Sequence, residues 1–590
     1  MSNKMFFSIL FIITTIIAFI GGLYVGGYYF LKQVKIDTNI VSYDTLFTYY
    51  EAYQNNKAIK KQLGIGFLVT AGVTLSPALF GLFILISGQK KEELHGSARF
   101  ANDMELLKSG LLDLPTKSNK PKAPEILIGR VATGKHKDKL LKFRGQQFMG
   151  LAAPTRSGKG VGVVIPNLVN YPDTVITNDI KLENFLKSAG YRASCGQEIY
   201  LFAPDGFALD PKVDRENGNL RSHRWNPMSY IRRNPIFRVG DILNISSVFY
   251  PLTGDKNDIW NELAGKLFKG LTLYMLDNES RMPVSFSQLL KLTSPDGGLA
   301  AWMKDQIELG NVSEECKAEF NAFIHAPDDT RGSILSNLVS PLSIFDDAVC
   351  AAATSGDDFD LRDVRRKRMS IYVGIQPNNI KKFSKLINLF WSQLINENTA
   401  VLPENDPSLK YQCLMILDEF TSMGRVDIIQ HGVGFTAGYN MRFLIIYQTD
   451  SQLYDPKSYG KDGAMVLKDN FAIESIYPPK RVDENVNRIS ETLGYKTVKT
   501  KTKSRTKGKS PSTTYGEKED KRALMLPQEI VELGFEKVEN SNMGLKQLLL
   551  IENMRPFIAN KIIYYKDPAF MNRVQYSMDN VPTVPLLTLN

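Results

Sequence analysis

Residues 152–162 read AAPTRSGKGVG, and Gly158-Lys159 has the form of the end of a phosphate-binding loop. Such a loop needs backbone N–H groups pointing inward, a lysine that reaches the β- and γ-phosphates, and a following helix that offers its positive N-terminal end. A buried strand before it supplies rigidity. Here QQFMGLAA (146–153) is the strand, Thr155, Arg156, Ser157 and Gly158 make the turn, Lys159 is the cation, and Gly160-Val161 opens the helix. Two positions depart from the pattern G-x-x-x-x-G-K-[ST]. Ala153 stands at the first glycine, where a small residue suffices. Gly160 replaces the hydroxyl residue that gives one oxygen to Mg²⁺, and an ion with one fewer protein ligand holds another water. The bland alternative is a structural strand–turn–helix.

A second carboxylate site weighs against that alternative. CLMILDEF (413–420) is an apolar run ending in Asp418-Glu419. With this strand buried beside the loop strand, Asp418 holds Mg²⁺ directly or through water, and Glu419 orients or polarises the attacking water. The competing reading is two exposed acids at a helix start, favoured by its dipole. Gln448 ends another apolar run, FLIIYQ (443–448), where its amide senses the γ-phosphate, holds the water, or simply caps the strand. Asp179 and Lys181 end TVITNDIK in the same way. Arg425 and Arg442 are candidates for an arginine that reaches a neighbouring subunit's nucleotide, each against a purely structural role.

These residues need a sheet to hold them. The runs at 146–153, 174–180, 370–375, 413–420 and 443–448 are short, rich in β-branched residues and apolar throughout, which predicts a parallel sheet buried on both faces. From 228 to 345, segments such as NELAGKLFKGLTLYML have helical periodicity and few strand runs, which predicts an all-α domain inserted between strands. KTVKTKTKSRTKGK (496–509) carries seven Lys/Arg and no acid. With the polar stretch after it, to 522, it reads as a disordered surface loop. Its Lys499, Lys501, Lys503, Arg505, Lys507 and Lys509 are possible DNA contacts, or a solvated face. No aromatic side chains are interleaved in the run for base stacking. The last fifteen residues, 576–590, read as a loose tail.

The bulk properties limit the partners. A chain of 590 residues implies several domains. Net charge +10 permits a polyanionic partner without establishing one. The four cysteines lack metal or disulfide spacing and the five histidines are scattered, which disfavours a zinc site or a histidine-based centre. Met5 to Phe30 and the stretch between Lys61 and Lys90 carry no charge, and each exceeds the roughly 20 residues that cross a bilayer core. A cleaved signal peptide is the alternative for the first run. Two spans put both termini on one side, but the flanking lysines and arginines tie. A domain that uses ATP fixes the side as cytoplasmic.

Taken together, HGSARFA (95–101), APTRSGKGVG (153–162), RWNP (224–227), DDFDLRDVRRKRMSIYVGI (357–375), LMILDEFTSMGR (414–425), FLIIYQTDSQL (443–453), LMLPQEI (524–530) and ENMRPFIANKIIYYKDPAF (552–570) resemble a type IV secretion system coupling protein, a conjugative DNA-transfer ATPase. One departure stands in NDIKLEN, where Leu182 occupies a position that is usually glycine in that family. The resemblance implies an α/β fold: two N-terminal transmembrane helices, then a RecA-like P-loop ATPase domain with an inserted all-α domain. The implied boundaries are an anchor at 1–88 (helices at about 5–30 and 63–88, periplasmic loop 31–62), nucleotide-binding parts at 89–227 and 346–575, and the all-α domain at 228–345. ATP and Mg²⁺ are the implied cofactors. A homo-hexamer in the bacterial inner membrane, with its ATPase domain in the cytoplasm, would recruit single-stranded DNA with its relaxase, or secreted protein substrates, and feed them to the secretion channel. Two alternatives are a membrane-anchored DNA translocase of chromosome segregation and a non-hydrolysing receptor with a degenerate loop.

Overall fold

The computed structural model describes residues 3–53, 55–88, 93–113, 123–254, 256, 258–506 and 512–589. They form two compact units, 1–94 and 95–590. In the first, long helices at Asn3–Val34 and Lys57–Gly88 pair side by side. Both are long and apolar enough to cross a membrane, over Phe11–Val34 and Lys57–Phe83. Small residues let them approach. Thr70 Oγ1 donates to the Gly22 carbonyl at 2.9 Å, and a Cβ at Gly26 would lie 2.3 Å from Thr70 Oγ1. This small-residue seam is how helices pack where water provides no hydrophobic drive. The connecting segment, read as a loop, contains a helix at Thr45–Tyr53.

The second unit is built on an eleven-stranded sheet and a separate two-stranded ribbon. In chain order the strands are β1 (Glu125–Val131), β2 (Leu140–Arg144), β3 (Phe148–Ala152), β4 (Thr174–Asp179), β5 (Glu198–Phe202), β6 (Met369–Gly374), β7 (Cys413–Leu417), β8 (Met441–Tyr447), β9 (Phe471–Ile476), β10 (Tyr495–Thr506), β11 (Ser512–Ala523), β12 (Lys546–Ile551) and β13 (Phe557–Asn560). The large sheet runs β2-β1-β13-β12-β9-β3-β8-β7-β4-β6-β5. From β9 to β5 every pairing is parallel, as the apolar runs predict. The other four strands extend it with antiparallel pairings. Short connections between β1 and β2, and between β12 and β13, permit only that geometry.

Alternate residues of the parallel strands serve two cores. Phe148, Ile176, Met415, Leu417, Phe443 and Ile445 join one core, whereas Met149, Val175, Leu414, Ile416, Leu444 and Ile446 join the other. This is why the runs are apolar at every position instead of alternating. The first core continues into the helices between β5 and β6, which include Pro235–Phe249, Asp258–Asp277, Glu314–Ile324 and Asp328–Leu342. No strand interrupts that interval among the described residues.

Three expectations need correction. The strand carrying Asp418 does not lie beside the loop strand, because β8 stands between β3 and β7. The described part of the basic stretch, 496–506 and 512–522, is not a disordered loop: β10 and β11 pair antiparallel in register from Tyr495↔Ala523 to Thr506↔Ser512. Its KTKTK alternation is a period-2 strand pattern with β-branched threonines, concealed by its charge. The C-terminal residues are not loose. After the helix Pro568–Asp579 the chain buries Val584 and Leu587 and bonds to Leu220 and Ser222.

Candidate functional site

The carboxyl ends of the parallel strands bring the sequence-derived residues together, as ligand sites on such sheets do. The turn Pro154–Gly158 follows β3, Gln448 follows β8, Asp418-Glu419 follows β7, and Asp179 ends β4. Lys159 Nζ lies 3.1 Å from Asp418 Oδ1 and is hydrogen-bonded to Glu419 Oε1. Gln448 Nε2 donates to Glu419 Oε2 at 3.0 Å, and Thr155 Oγ1 donates to Gln448 Oε1 at 3.0 Å. The interposed β8 therefore seats the amide between the loop and the acidic pair. Burial would raise the Glu419 carboxyl, but Lys159 outweighs it and holds the group below its ordinary value. Burial prevails at Asp418 and raises it. Asp418 and Glu419 are thus partly buried rather than solvent-exposed, and although Glu419 stands at the N-cap of the short 3-10 helix Phe420–Met423, its side chain makes no capping bond there.

A cavity of about 520 Å³ opens here, lined by Thr155, Lys159, Val161, Lys181, Asp418 and Tyr564 among others. That volume lies in the range of small-molecule sites. A larger cavity of about 790 Å³, around Lys142, Arg144, Glu552 and Arg555, lies at the opposite end of the parallel strands and contains none of these groups. Three non-glycine residues around the smaller cavity have left-handed backbone: Arg156 (φ 63°), Leu182 (φ 56°) and Glu419 (φ 53°). Each costs about 1–2 kcal/mol, and such strain gathers at ligand clamps. Leu182 takes the left-handed conformation that glycine adopts freely, here at the cost of carrying a side chain.

The loop's glycines differ in kind. Gly158 (φ 89°) needs its missing side chain, because a Cβ there would lie 1.7 Å from Met543 Sδ. A Cβ at Gly160 would meet nothing within 4 Å. The helix start therefore forms without the usual hydroxyl, and the space that hydroxyl would fill is open. The carboxylate of Asp418 beside this open space suits a hard, hydrated cation such as Mg²⁺.

The other candidates separate. Asp179 accepts from the backbone N–H groups of Asn184 and Phe185 at 3.2 and 2.7 Å, and burial pushes its carboxyl up to about 7 against them. It anchors the helix Glu183–Ser194. Lys181 lines the cavity. Arg442 does not reach outward: it is fully buried at the start of β8, donating to the carbonyls of Gln147 and Phe143 at 2.8 and 3.0 Å. Its guanidinium ties the end of β2 and the entry to β3 to the start of β8, at the end of the sheet away from the loop. Arg425 is 45 % exposed and paired with Asp427. Of the basic stretch, Lys499 pairs with Glu519 at 2.9 Å and Lys501 lies 3.7 Å from Glu517, both across the hairpin. Lys503 stands over the Tyr515 ring, so an aromatic does accompany the basic run. Arg505 is paired in register with Thr513. Lys507 and Lys509 lie outside the described residues.

Two participants were invisible to sequence reasoning. Lys561 is 2 % exposed, donates to the Ser157 carbonyl at 3.0 Å and lies 3.8 Å from the Tyr477 ring centre. Burial pushes its amine down to about 7. The only sequence trace is a lysine set between apolar residues in ANKII. Gln452 accepts from both the Gln448 N–H and the Thr421 hydroxyl at 3.3 Å, linking the strand end to the loop after Glu419. Its place four residues after Gln448, within the helix Asp450–Tyr454, was the available signal.

Comparison with known proteins bears on this geometry. Residues 104–583 match the type IV secretory system conjugative DNA transfer family. The chain is 26 % identical over 566 residues to a conjugal transfer protein TraG of Escherichia coli, covering 89 % of this chain and 85 % of that one. It is 27 % identical over 489 residues to a VirD4 protein of Rhizobium rhizogenes, covering 82 % and 67 %. Its fold is similar to the bacterial conjugative coupling protein TrwB, with TM-score 0.54 at 14 % identity over 82 % of this chain and 99 % of that one. TrwB in complex with ADP and Mg²⁺ superposes with TM-score 0.52 at 14 % identity, over 80 % and 96 %.

Proposed function

The chain belongs to the type IV secretory system conjugative DNA transfer family, and on that premise we propose that it is a membrane-anchored coupling ATPase that hands DNA to a transfer channel. The observation that carries the ATPase reading is the contact of Lys159 with Asp418 and Glu419, joined to Gln448. The proposed reaction is ATP + H₂O → ADP + phosphate. Incoming phosphates take Lys159 from the two acids, and the backbone amides of Thr155 to Val161 grip them. Asp418 would hold Mg²⁺, which when bound would supply positive charge against the phosphates. Freed from Lys159, Glu419 orients and polarises the attacking water. Gln448, bonded to Thr155 and Glu419, reports loss of the phosphate to β8. Catalysis of this kind is positioning and charge stabilisation.

ATP use puts the large unit in the cytoplasm, anchored in the inner membrane by the two N-terminal helices. The helices between β5 and β6 would receive cargo: DNA with its relaxase, or a secreted protein. A homo-hexamer would set Arg425 against a neighbour's nucleotide, its pairing with Asp427 giving way on assembly. Family membership favours transfer over chromosome segregation. The decisive experiment is phosphate release by the full chain in detergent, wild type against Glu419→Gln. Binding of nucleotide without release by the wild type would leave the receptor reading, which Gly160 favours.

A further inference from the structure

The peptide that joins Ser157 to Gly158 stands between two cavities. Ser157 lines one of about 210 Å³, together with Lys561, Pro478 and Phe535. Gly158 lines the cavity of about 520 Å³ that also holds Lys159 and Asp418. On the first side, Lys561 Nζ donates to the Ser157 carbonyl at 3.0 Å. A trans peptide points its C=O and its N–H in opposite directions, and no described bond is cis. The Gly158 N–H is therefore turned away from Lys561, and no group among the described residues accepts from it. Lys561 is itself held firmly. It follows β13, its backbone N–H donates to the Leu545 carbonyl at 2.8 Å, and its amine lies 3.8 Å from the Tyr477 ring centre. Tyr477 follows β9 and donates its backbone N–H to the Ala152 carbonyl at 2.9 Å, where β3 ends. The same side chain abuts the helix after the loop, since a Cβ at Gly162 would lie 2.5 Å from the Tyr477 hydroxyl.

A buried amine without a carboxylate beside it is costly to keep. Lys561 is 2 % exposed, and both burial and the nearby Lys537 act against its charge. Its bond to Ser157 is the one hydrogen bond of that amine among the described residues. Glycine tolerates either sign of φ, so Gly158 does not by itself fix the plane of the peptide before it. We propose that Lys561 is a positioning residue for nucleotide binding: by holding the Ser157 carbonyl against the Tyr477 side of the loop, it keeps the Gly158 N–H aimed at the phosphates. The plane is thus set before a nucleotide arrives, and binding does not bear the cost of ordering it. This role rests on the reading that the loop holds a nucleotide. It separates the residue that aims the loop's amides from Lys159, which meets the phosphates itself.

The test uses the full chain in detergent, with ADP binding read by displacement of a fluorescent ADP analogue and ATP turnover read by phosphate release. Lys561→Met fills the same space and removes the donor. It should weaken ADP about tenfold, the scale of one hydrogen bond. The KM for ATP should rise by the same factor without a fall in kcat, because an amide that meets the phosphates does so in ground state and transition state alike. Lys561→Arg, which keeps a charged donor, should recover part of the lost affinity. Wild-type ADP affinity and KM in Lys561→Met overturn the proposal and leave the ATPase reading intact. A fall in kcat at unchanged KM overturns it as well. Failure of the wild type to bind ADP overturns both. If Lys561→Met does not melt cooperatively, hydrogen exchange of the wild type decides: bound ADP should slow exchange of the Gly158 amide, and an unslowed amide in the ADP complex overturns the proposal.

Discussion

The loop after β3 and the basic hairpin both place lysines opposite glutamates, yet the surroundings make them different devices. Lys159 meets Asp418 and Glu419 at the ends of buried strands, in the wall of a cavity of ligand size. Lys499 and Lys501 meet Glu519 and Glu517 on an exposed ribbon, where water and salt compete for both partners. The first arrangement stores interaction for a ligand to take over. The second holds two strands in register and can lose any one pair. Substitutions should therefore have large, chemistry-specific effects at the loop and small, salt-dependent ones at the hairpin.

The largest effect is expected at the acidic pair. Glu419→Gln should lower phosphate release at least a hundredfold, the scale of losing a positioned base, while nucleotide binding persists. Lys159→Ala should abolish binding itself, measured by a fluorescent ATP analogue. Ordinary turnover in Glu419→Gln would remove the water-activating role and reduce the contrast with the hairpin to one of burial. Next comes Gly158→Ala, which both strains a φ of 89° and drives a methyl into Met543. Nucleotide affinity should fall more than tenfold, and Met543→Ala in the same chain should recover part of it, since only the steric component is relieved. Gly160→Ser, two residues on, meets open space. It should keep activity and lower the Mg²⁺ concentration needed for half-maximal turnover.

How these regions read from sequence follows the same division. The loop, the Asp418-Glu419 pair and Gln448 were legible because each follows an apolar run, and burial on both faces makes such runs unmistakable. Their spatial order was not legible. Nothing local to CLMILDEF or FLIIYQ says that β8 is inserted between β3 and β7, because strand order is set by crossover connections. Arg442, in GYNMR, was a candidate for an arginine reaching a neighbouring subunit, weighed against a structural role, and the structural role is the one observed. It is buried because carbonyls from Gln147 and Phe143 satisfy it. Lys561 is some 400 residues from the loop that it supports, beyond any spacing rule. The hairpin was misread because its charge density resembles that of disordered chain, whereas the Glu517, Glu519 and Asp520 that neutralise it come a turn later.

Lys561 gives a sharper test, because it places a buried amine against the loop. That amine titrates near 7 in the folded chain against an ordinary 10.5. Below about 7 both folded and unfolded chains hold the proton, so stability does not change with pH through this group. Between about 7 and 10.5 the unfolded chain holds a proton that the folded one lacks, so stability rises with pH. Thermal unfolding of the full chain should therefore show a Tm that climbs from pH 7 to pH 9.5, and Lys561→Met should flatten that climb. An unchanged slope in the variant would mean that the amine is solvated and that Ser157 is held by other bonds.

The smallest effect belongs to the ribbon's ion pairs. Lys499→Ala removes a cross-strand partner from Glu519, and both groups are partly exposed, at 52 % and 30 %. Exposed pairs of this kind contribute about 0.2–1 kcal/mol, so the full chain's Tm should shift by no more than a degree or two at low salt. Raising the salt to 0.5 M, where the screening length drops well below that at 0.1 M, should erase even that difference. The ribbon survives because neighbouring pairs, Lys501 with Glu517 and Lys521 over Tyr495 at 3.7 Å, keep the strands registered. A shift as large as that from Gly158→Ala would show that the hairpin is a cooperative part of the sheet unit. It could then no longer be treated as a separate exposed arm.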